Sequence, residues 1–187
     1  MKPIRTARLI LRNWEERDRN LFFQINSDDR VMEFFPFRRD RGQADAVFDT
    51  LQQGIDARGY GLAAAEVAES GACIGFVGLC PVEFGSPFPD GSIEIGWRLA
   101  PEFWRNGYVT EAAQEWLRYG FGRLGLAEIV SFAVWDNHRS TAVMERIGMR
   151  RDPALDFKHP NVPDTHPALQ PHVVYRLSAD DWRKVRP

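Results

Sequence analysis

Three short apolar runs, each bounded by glycine-bearing turns, occupy the middle of the chain, while the segments on either side run at helical spacing. Gly61 to Val67 and Ala72 to Cys80 are joined by Ala68-Glu69-Ser70-Gly71, a hairpin connection. Glu83 to Gly91 is a proline- and glycine-rich loop, and Ser92 to Leu99 is the next strand. Ahead of this block, Arg8 to Arg12 reads as a strand. Glu15 and Glu16 lead into a helical stretch with Leu21, Phe22 and Ile25. A short helix carrying Val31, Met32, Phe34 and Phe35 should end at Pro36. A longer one follows with Ala44, Val47, Phe48, Leu51 and Ile55, and Gly59 lies just past it. Beyond the block, Ile129 to Val134 reads as a strand and Asn137 to Ile147 as a helix stopped by Gly148. A proline-rich loop from His159 to Pro171 precedes a last strand, His172 to Leu177. The pattern predicts a mixed α/β fold with a central, largely antiparallel sheet followed by a βαβα section.

The 187 residues suit one domain spanning 1–187 with an ample core. A net charge of −2 gives no general attraction for nucleic acid or an anionic membrane. No apolar run approaches the ~20 residues of a membrane span, and the first residues carry no signal-peptide core. Cys73 and Cys80 share one apolar run. As strand residues they stand ~23 Å apart, beyond disulfide reach, and their odd separation puts them on opposite faces. Free buried thiols fit a reducing compartment, so a cytoplasmic location is expected.

The stretch Pro101 to Trp116, PEFWRNGYVTEAAQEW, starts as a turn and ends as a helix. Thr110 is placed to cap it and Glu111 to favour its positive end, with Ala113, Trp116, Leu117 and Phe121 forming an apolar stripe. Small residues at Ala112 and Ala113 let a strand approach closely. A helix start leaves N–H donors unpaired and is electropositive, which suits a phosphate, and Arg105 adds a formal charge. RNGY alone also reads as an ordinary structural turn, and it is neither a P-loop nor GxGxxG.

It does not stand alone. Glu94-Ile95-Gly96-Trp97-Arg98-Leu99-Ala100-Pro101, followed by Trp104-Arg105-Asn106-Gly107-Tyr108-Val109-Thr110-Glu111-Ala112, resembles the acetyl-CoA site of the GNAT N-acetyltransferase superfamily, and more narrowly its RimJ/RimL-like branch. Asn137 to Met149, with Arg8 to Arg12 and His172 to Leu177, continues the resemblance across nearly the whole chain. The resemblance implies a GNAT fold, with a splayed strand pair holding acetyl-CoA between flanking helices. It also implies transfer of an acetyl group from acetyl-CoA to a primary amine. The turn N–H groups of Arg105, Asn106, Gly107, Tyr108, Val109 and Thr110 would hold the pyrophosphate. Trp97, Arg98 and Leu99 would line the thioester end, and Asn137 and Ser140 would meet the pantetheine arm. Two positions depart from the family pattern. Val109 stands where glycine or alanine is usual, and Met144 stands where many relatives carry a tyrosine that protonates the thiolate.

Acetyl transfer needs a neutral amine, a polarised carbonyl and a thiolate that can leave. Glu94 is the candidate base. It lies between Ile93 and Ile95 on the strand leading into the turn, with its side chain opposite theirs, where a drier cleft would raise its pKa. A backbone N–H near Trp97 or Arg98 is the candidate polarising donor. Ser140 is the candidate partner of the sulfur, against the plainer reading of a helix-capping serine. Tyr108 is an alternative acid, though packing beside the turn explains it as well. His159, His166 and His172 lack a standard ligand spacing, so no metal is expected. They are read as ordering a loop near the acceptor pocket, where His159 or His172 would touch substrate. Phe84 and Phe88, in a loop, are better placed to line that pocket than Phe34 and Phe35, which read as core; Phe37 completes the set. The acceptor class stays open between a protein N-terminus, a small amine and an amino sugar, and a homodimer is allowed. A non-catalytic acyl-CoA-binding module on the same fold, or a domain that binds nothing, are the alternatives.

Overall fold

The computed structural model describes residues 1–185. The elements run β1 (Ile4–Arg5), β2 (Leu9–Arg12), α1 (Arg19–Ser27), α2 (Arg41–Arg58), β3 (Leu62–Val67), β4 (Cys73–Pro81), β5 (Ile93–Leu99), α3 (Tyr108–Gly122), β6 (Glu128–Val134), α4 (His138–Arg146), β7 (Arg150–Arg151), β8 (Phe157–Lys158), β9 (Pro171–Ser178) and α5 (Ala179–Val185). The strands form one open sheet in the order β1-β2-β3-β4-β5-β6-β9-β7, with β8 also beside β9. Every pairing is antiparallel except β5 with β6, which are parallel and meet at a single pair, Glu94 opposite Val130. After that pair the two strands part.

One face of the sheet packs on α1 and α2 through Trp14, Phe22, Phe48 and Phe76. The Trp14 ring lies 5.1 Å from Phe22 and 5.4 Å from Phe48. The helix α2 is well bounded: Asp40 accepts a hydrogen bond from the Gln43 N–H at its start, and Gly59 closes it at φ 79°. The other face packs on α3, where Ala112, Ala113, Trp116 and Leu117 are fully buried as the apolar stripe requires. A separate aromatic cluster of Phe84, Phe88, Phe132 and Phe157 closes the far end.

Several expectations are corrected. Val31 to Phe35 form linked turns rather than a helix, because Pro36 and Pro36's neighbours leave too few residues to close a second helical turn. Thr110 does not cap α3: Gly107, at φ 78°, is the boundary residue, and Thr110 sits inside the first turn. The two cysteines lie on the same face. Glu66 pairs with Cys73 while Ala65 pairs with Gly75, so an irregularity at Gly75 (φ 138°) shifts the alternation by one. Cys73 thereby joins the face of Phe76, Gly78 and Cys80. Both are free thiols, and burial pushes Cys73 up to about 12 and Cys80 well above its ordinary value. The short strands β1, β7 and β8 and the helix α5 have no periodic signal of their own; their neighbours recruit them.

Candidate active site

The parting of β5 and β6 is stabilised by side chains that take over backbone acceptors. Ser131 Oγ, on β6, donates to the Ile95 carbonyl at 2.9 Å, and Trp104 Nε1 donates to the Leu99 carbonyl at 2.8 Å. Strand alternation then turns the N–H and C=O of Trp97 toward the same opening, whereas those of Arg98 face β4. The opening leads into a cavity of about 830 Å³. Its walls include Glu94, Trp97, Arg98, Leu99, Tyr108, Val109, Asn137, Ser140, Met144, His159 and His172, so the residues singled out in sequence do converge.

At one end of the cavity lies the turn before α3. Arg105 takes φ 63° and Gly107 φ 78°, an alternation that points successive N–H groups to one side. None of the N–H groups of residues 105–110 has an acceptor among the described residues; the next, Glu111 N–H, is the first to close onto Gly107. Six successive free donors at the start of a 15-residue helix form an anion cradle. Arg8, read in sequence only as a strand residue, braces this turn. Its Nη1 donates to the Asn106 carbonyl at 3.0 Å, its Nε bonds Glu111 at 2.7 Å, and its guanidinium lies 4.7 Å from the Tyr108 ring. Glu111 also accepts from Thr6 Oγ1 and the Arg8 N–H, which together hold its carboxyl below the usual range against the upward pull of burial. Arg146 Nη1 donates to Thr110 Oγ1 at 3.3 Å and brings a second cation to the turn's outer side.

Glu94 stands where the strands part. Its side chain shares a face with Gly96, and the missing Cβ there leaves room: one built at Gly96 would stand 3.2 Å from a Glu94 carboxylate oxygen. Glu94 has no hydrogen-bond or ion-pair partner among the described residues, and burial pushes its carboxyl up to about 7. At the start of α4, Asn137 Oδ1 accepts the Ser140 N–H at 3.2 Å, so Asn137 does the capping and the Ser140 hydroxyl has no partner among the described residues. Met144, fully buried, contributes no acid.

The aromatic expectation is reversed. Phe34 and Phe35 line the cavity, Phe37 is 40% exposed, and Phe84 and Phe88 pack on Phe132 and Phe157 instead. A loop position did not mean solvent or ligand contact here, because the loop folds back onto β6 and β9. His159 and His172 do reach the cavity, with ring centres 4.8 Å apart. Burial, with His172 adding to it, pushes His159 down to about 4, and burial lowers His172. His166 is exposed and turned away, bonded to Thr165. No cluster of three or more metal-ligating side chains occurs among the described residues.

The family model for the acetyltransferase (GNAT) domain matches residues 8–150. An uncharacterized N-acetyltransferase of Bacillus subtilis, YnaD, is 30% identical over 149 residues, covering 80% of this chain and 83% of its own. The FsC-acetyl coenzyme A-N(2)-transacetylase of Aspergillus fumigatus is 28% identical, covering 98% of this chain and 79% of its own. Among solved structures, a GNAT-family acetyltransferase from Bacillus anthracis superposes with a TM-score of 0.77 at 25% identity, covering 95% of this chain and 99% of its own. The free donors of the turn suit the phosphates of acetyl-CoA, and the parted strands suit its thioester arm. With the match over most of its length, this chain belongs to the GNAT acetyltransferases and is an acetyl-CoA-dependent N-acetyltransferase.

Proposed function

We propose that the chain, acting as one domain of the RimJ/RimL-like branch in the cytoplasm, acetylates the amine of a peptide N-terminus or a small molecule by direct attack within a ternary complex. The observation that carries the reading is the shared cavity. The free N–H groups of residues 105–110 stand at one end of it and the unpartnered Glu94 on its wall. The N–H groups of Arg105, Asn106, Gly107, Tyr108, Val109 and Thr110 hold the pyrophosphate; Val109 keeps its N–H while its side chain packs inward. Trp97 N–H, rather than Arg98, polarises the acetyl carbonyl, and Asn137 and Ser140 flank the pantetheine arm. Glu94 removes a proton from the amine, directly or through a water, as the new N–C bond forms and the C–S bond breaks. Ser140 Oγ–H hydrogen-bonds the departing sulfur, and the thiolate takes its proton from water, directly or relayed through that hydroxyl, which is reprotonated in the same step. His159 and His172, neutral at pH 7, border the acceptor.

The first test is calorimetry with acetyl-CoA, joined to a thiol-release screen against N-terminal peptides, polyamines and aminoglycosides. Binding with release by any of these supports the reading and identifies the acceptor class. Absence of binding would remove the assignment of the turn.

A further inference from the structure

Arg105 and Arg146, at the end of the cavity beside the turn, have no carboxylate partner among the described residues, and neither do Arg98 on the cavity wall and Arg39 next to it. Arg98, on the face that carries Glu94, sends Nη1 to Asn26 Oδ1 at 2.6 Å, and its guanidinium lies 4.3 Å from the Phe35 ring and 5.4 Å from Phe76. Arg39 sends its own Nη1 to the same Asn26 oxygen at 3.0 Å and lies over Phe37. Asn26 is fully buried and held in place: its Nδ2 donates to the Phe22 carbonyl at 2.7 Å, and its carbonyl accepts the Arg39 N–H at 3.0 Å. One neutral amide oxygen therefore serves two cations. Neighbouring arginines are paired differently: Arg30 has Asp28, Arg38 has Asp29 and Arg41 has Asp45. Among the described residues, Arg98 and Arg39 are thus two adjacent guanidinium groups with no carboxylate, well away from the phosphate end, and Arg98 borders the substrate cavity.

Arg98 and Arg39 are both partly buried, and cations drawn out of water are ordinarily paired, because an unpaired one gives up hydration. Burial and the nearby Arg39 push Arg98 down to about 9, and burial lowers Arg39, so both sites would gain from an anion. The backbone opening at Trp97 lies between Glu94 and Arg98 along β5, and the side chains of those two share a face four residues, or ~13 Å, apart. We propose that the acceptor carries a carboxylate as well as its amine, and that Arg98, with Arg39 behind it on Asn26, binds that carboxylate while the amine reaches the opening at Trp97. The proposal rests on the acetyl-transfer reading of the same cavity. The carboxylate belongs either to a free amino acid or to an acidic side chain near a peptide N-terminus.

The test measures thiol release from acetyl-CoA with matched acceptors: L-amino acids against their decarboxylated amines, and N-terminal peptides with Asp against Asn at the second position. The carboxylate member of a pair is expected to have kcat/KM roughly tenfold or more above its partner, as a charge-assisted bond would give. Preference within the first set points to amino acids, within the second to peptides. Arg98→Gln should erase the preference: within that variant the carboxylate and uncharged members of a pair should have equal kcat/KM, the carboxylate member having lost most through KM. A second readout does not need turnover. In the CoA-loaded protein, the Arg98 guanidinium ¹⁵N–¹H resonances should move with N-acetyl amino acids and stay still with N-acetyl amines. Indifference to the carboxylate, preference for phosphorylated or uncharged amines, or guanidinium resonances that no carboxylate moves would overturn the proposal. Failure of acetyl-CoA itself to bind would instead count against the acetyl-transfer reading of the cavity.

Discussion

At the scale of one residue, Glu94 connects burial to chemistry. Its carboxyl sits near 7 because desolvation disfavours the charge and no cation relieves it. A base poised there is about half ionised at neutral pH, so kcat/KM should rise with pH through a limb near 7. Glu94→Gln should remove that limb and leave acetyl-CoA affinity unchanged. A limb that survives the substitution would disqualify Glu94 as the base. The same shift predicts stability. The folded pKa lies above the ordinary 4.5, so the advantage of the protonated form is present in full below pH 4.5 and is lost as pH rises through 7. Glu94→Gln should match the wild type near pH 4 and exceed it at pH 8 by about 3 kcal/mol, readable by urea denaturation at both values. Sequence reasoning reached Glu94 because strand alternation alone sets its face. It passed over Ser131, although a serine inside the apolar run Ile129 to Val134 was a visible signal; only the pairing of β5 with β6 reveals what that hydroxyl does.

At the scale of elements, the start of α3 and the β2–α1 junction matter most. Gly107→Pro would remove one donor and force φ from 78° to about −65°. Acetyl-CoA binding should fall below detection in calorimetry while the far-ultraviolet circular dichroism is retained. Unchanged affinity would contradict the pyrophosphate assignment. Arg8→Ala should loosen the same turn more gently, raising the acetyl-CoA Kd roughly fivefold with kcat little altered, in keeping with a half-exposed guanidinium. The second junction depends on Arg12. Its guanidinium bonds Asp18 at 2.6 and 3.0 Å and Glu66 at 2.8 Å, and all three side chains are buried. Arg12→Met would leave the buried Asp18 without a cation and Glu66 with only the exposed Arg17, and should cost about 3 kcal/mol, measured as a lowered denaturation midpoint at constant slope. These residues lie far apart in sequence, which is why Arg8 and Arg12 read only as parts of a strand.

At the scale of the whole molecule, the cavity exists because one parallel pair of strands fails to stay paired within an otherwise antiparallel sheet. Helices cover the two faces of the sheet: α3, with Trp116 and Leu117, packs on β4–β6, and α1 and α2, with Phe22 and Phe48, pack on β3–β4. A ligand that binds only this folded arrangement must stabilise it. Acetyl-CoA at 100 times its Kd should add ~2.7 kcal/mol to the unfolding free energy, seen as a raised Tm that Gly107→Pro abolishes. A Tm that rises equally in that variant would place the binding elsewhere.

Local sequence determined the elements with long, regular periods. The helix α2 with its Gly59 boundary, the β3–β4 hairpin, α3 with its buried stripe and the free donors before it were all legible, because period and glycine conformation act within a few residues. The motif order likewise identified the family. Tertiary structure alone decided where aromatic rings and charges went. Phe34 and Phe35 face the cavity while Phe84 and Phe88 form a core, Cys73 changes face at Gly75, and Asn26, Arg39 and Arg98 meet from three separate segments. The physical reason is that burial and ion pairing depend on which distant segment covers a surface, and no periodicity within a segment encodes its cover.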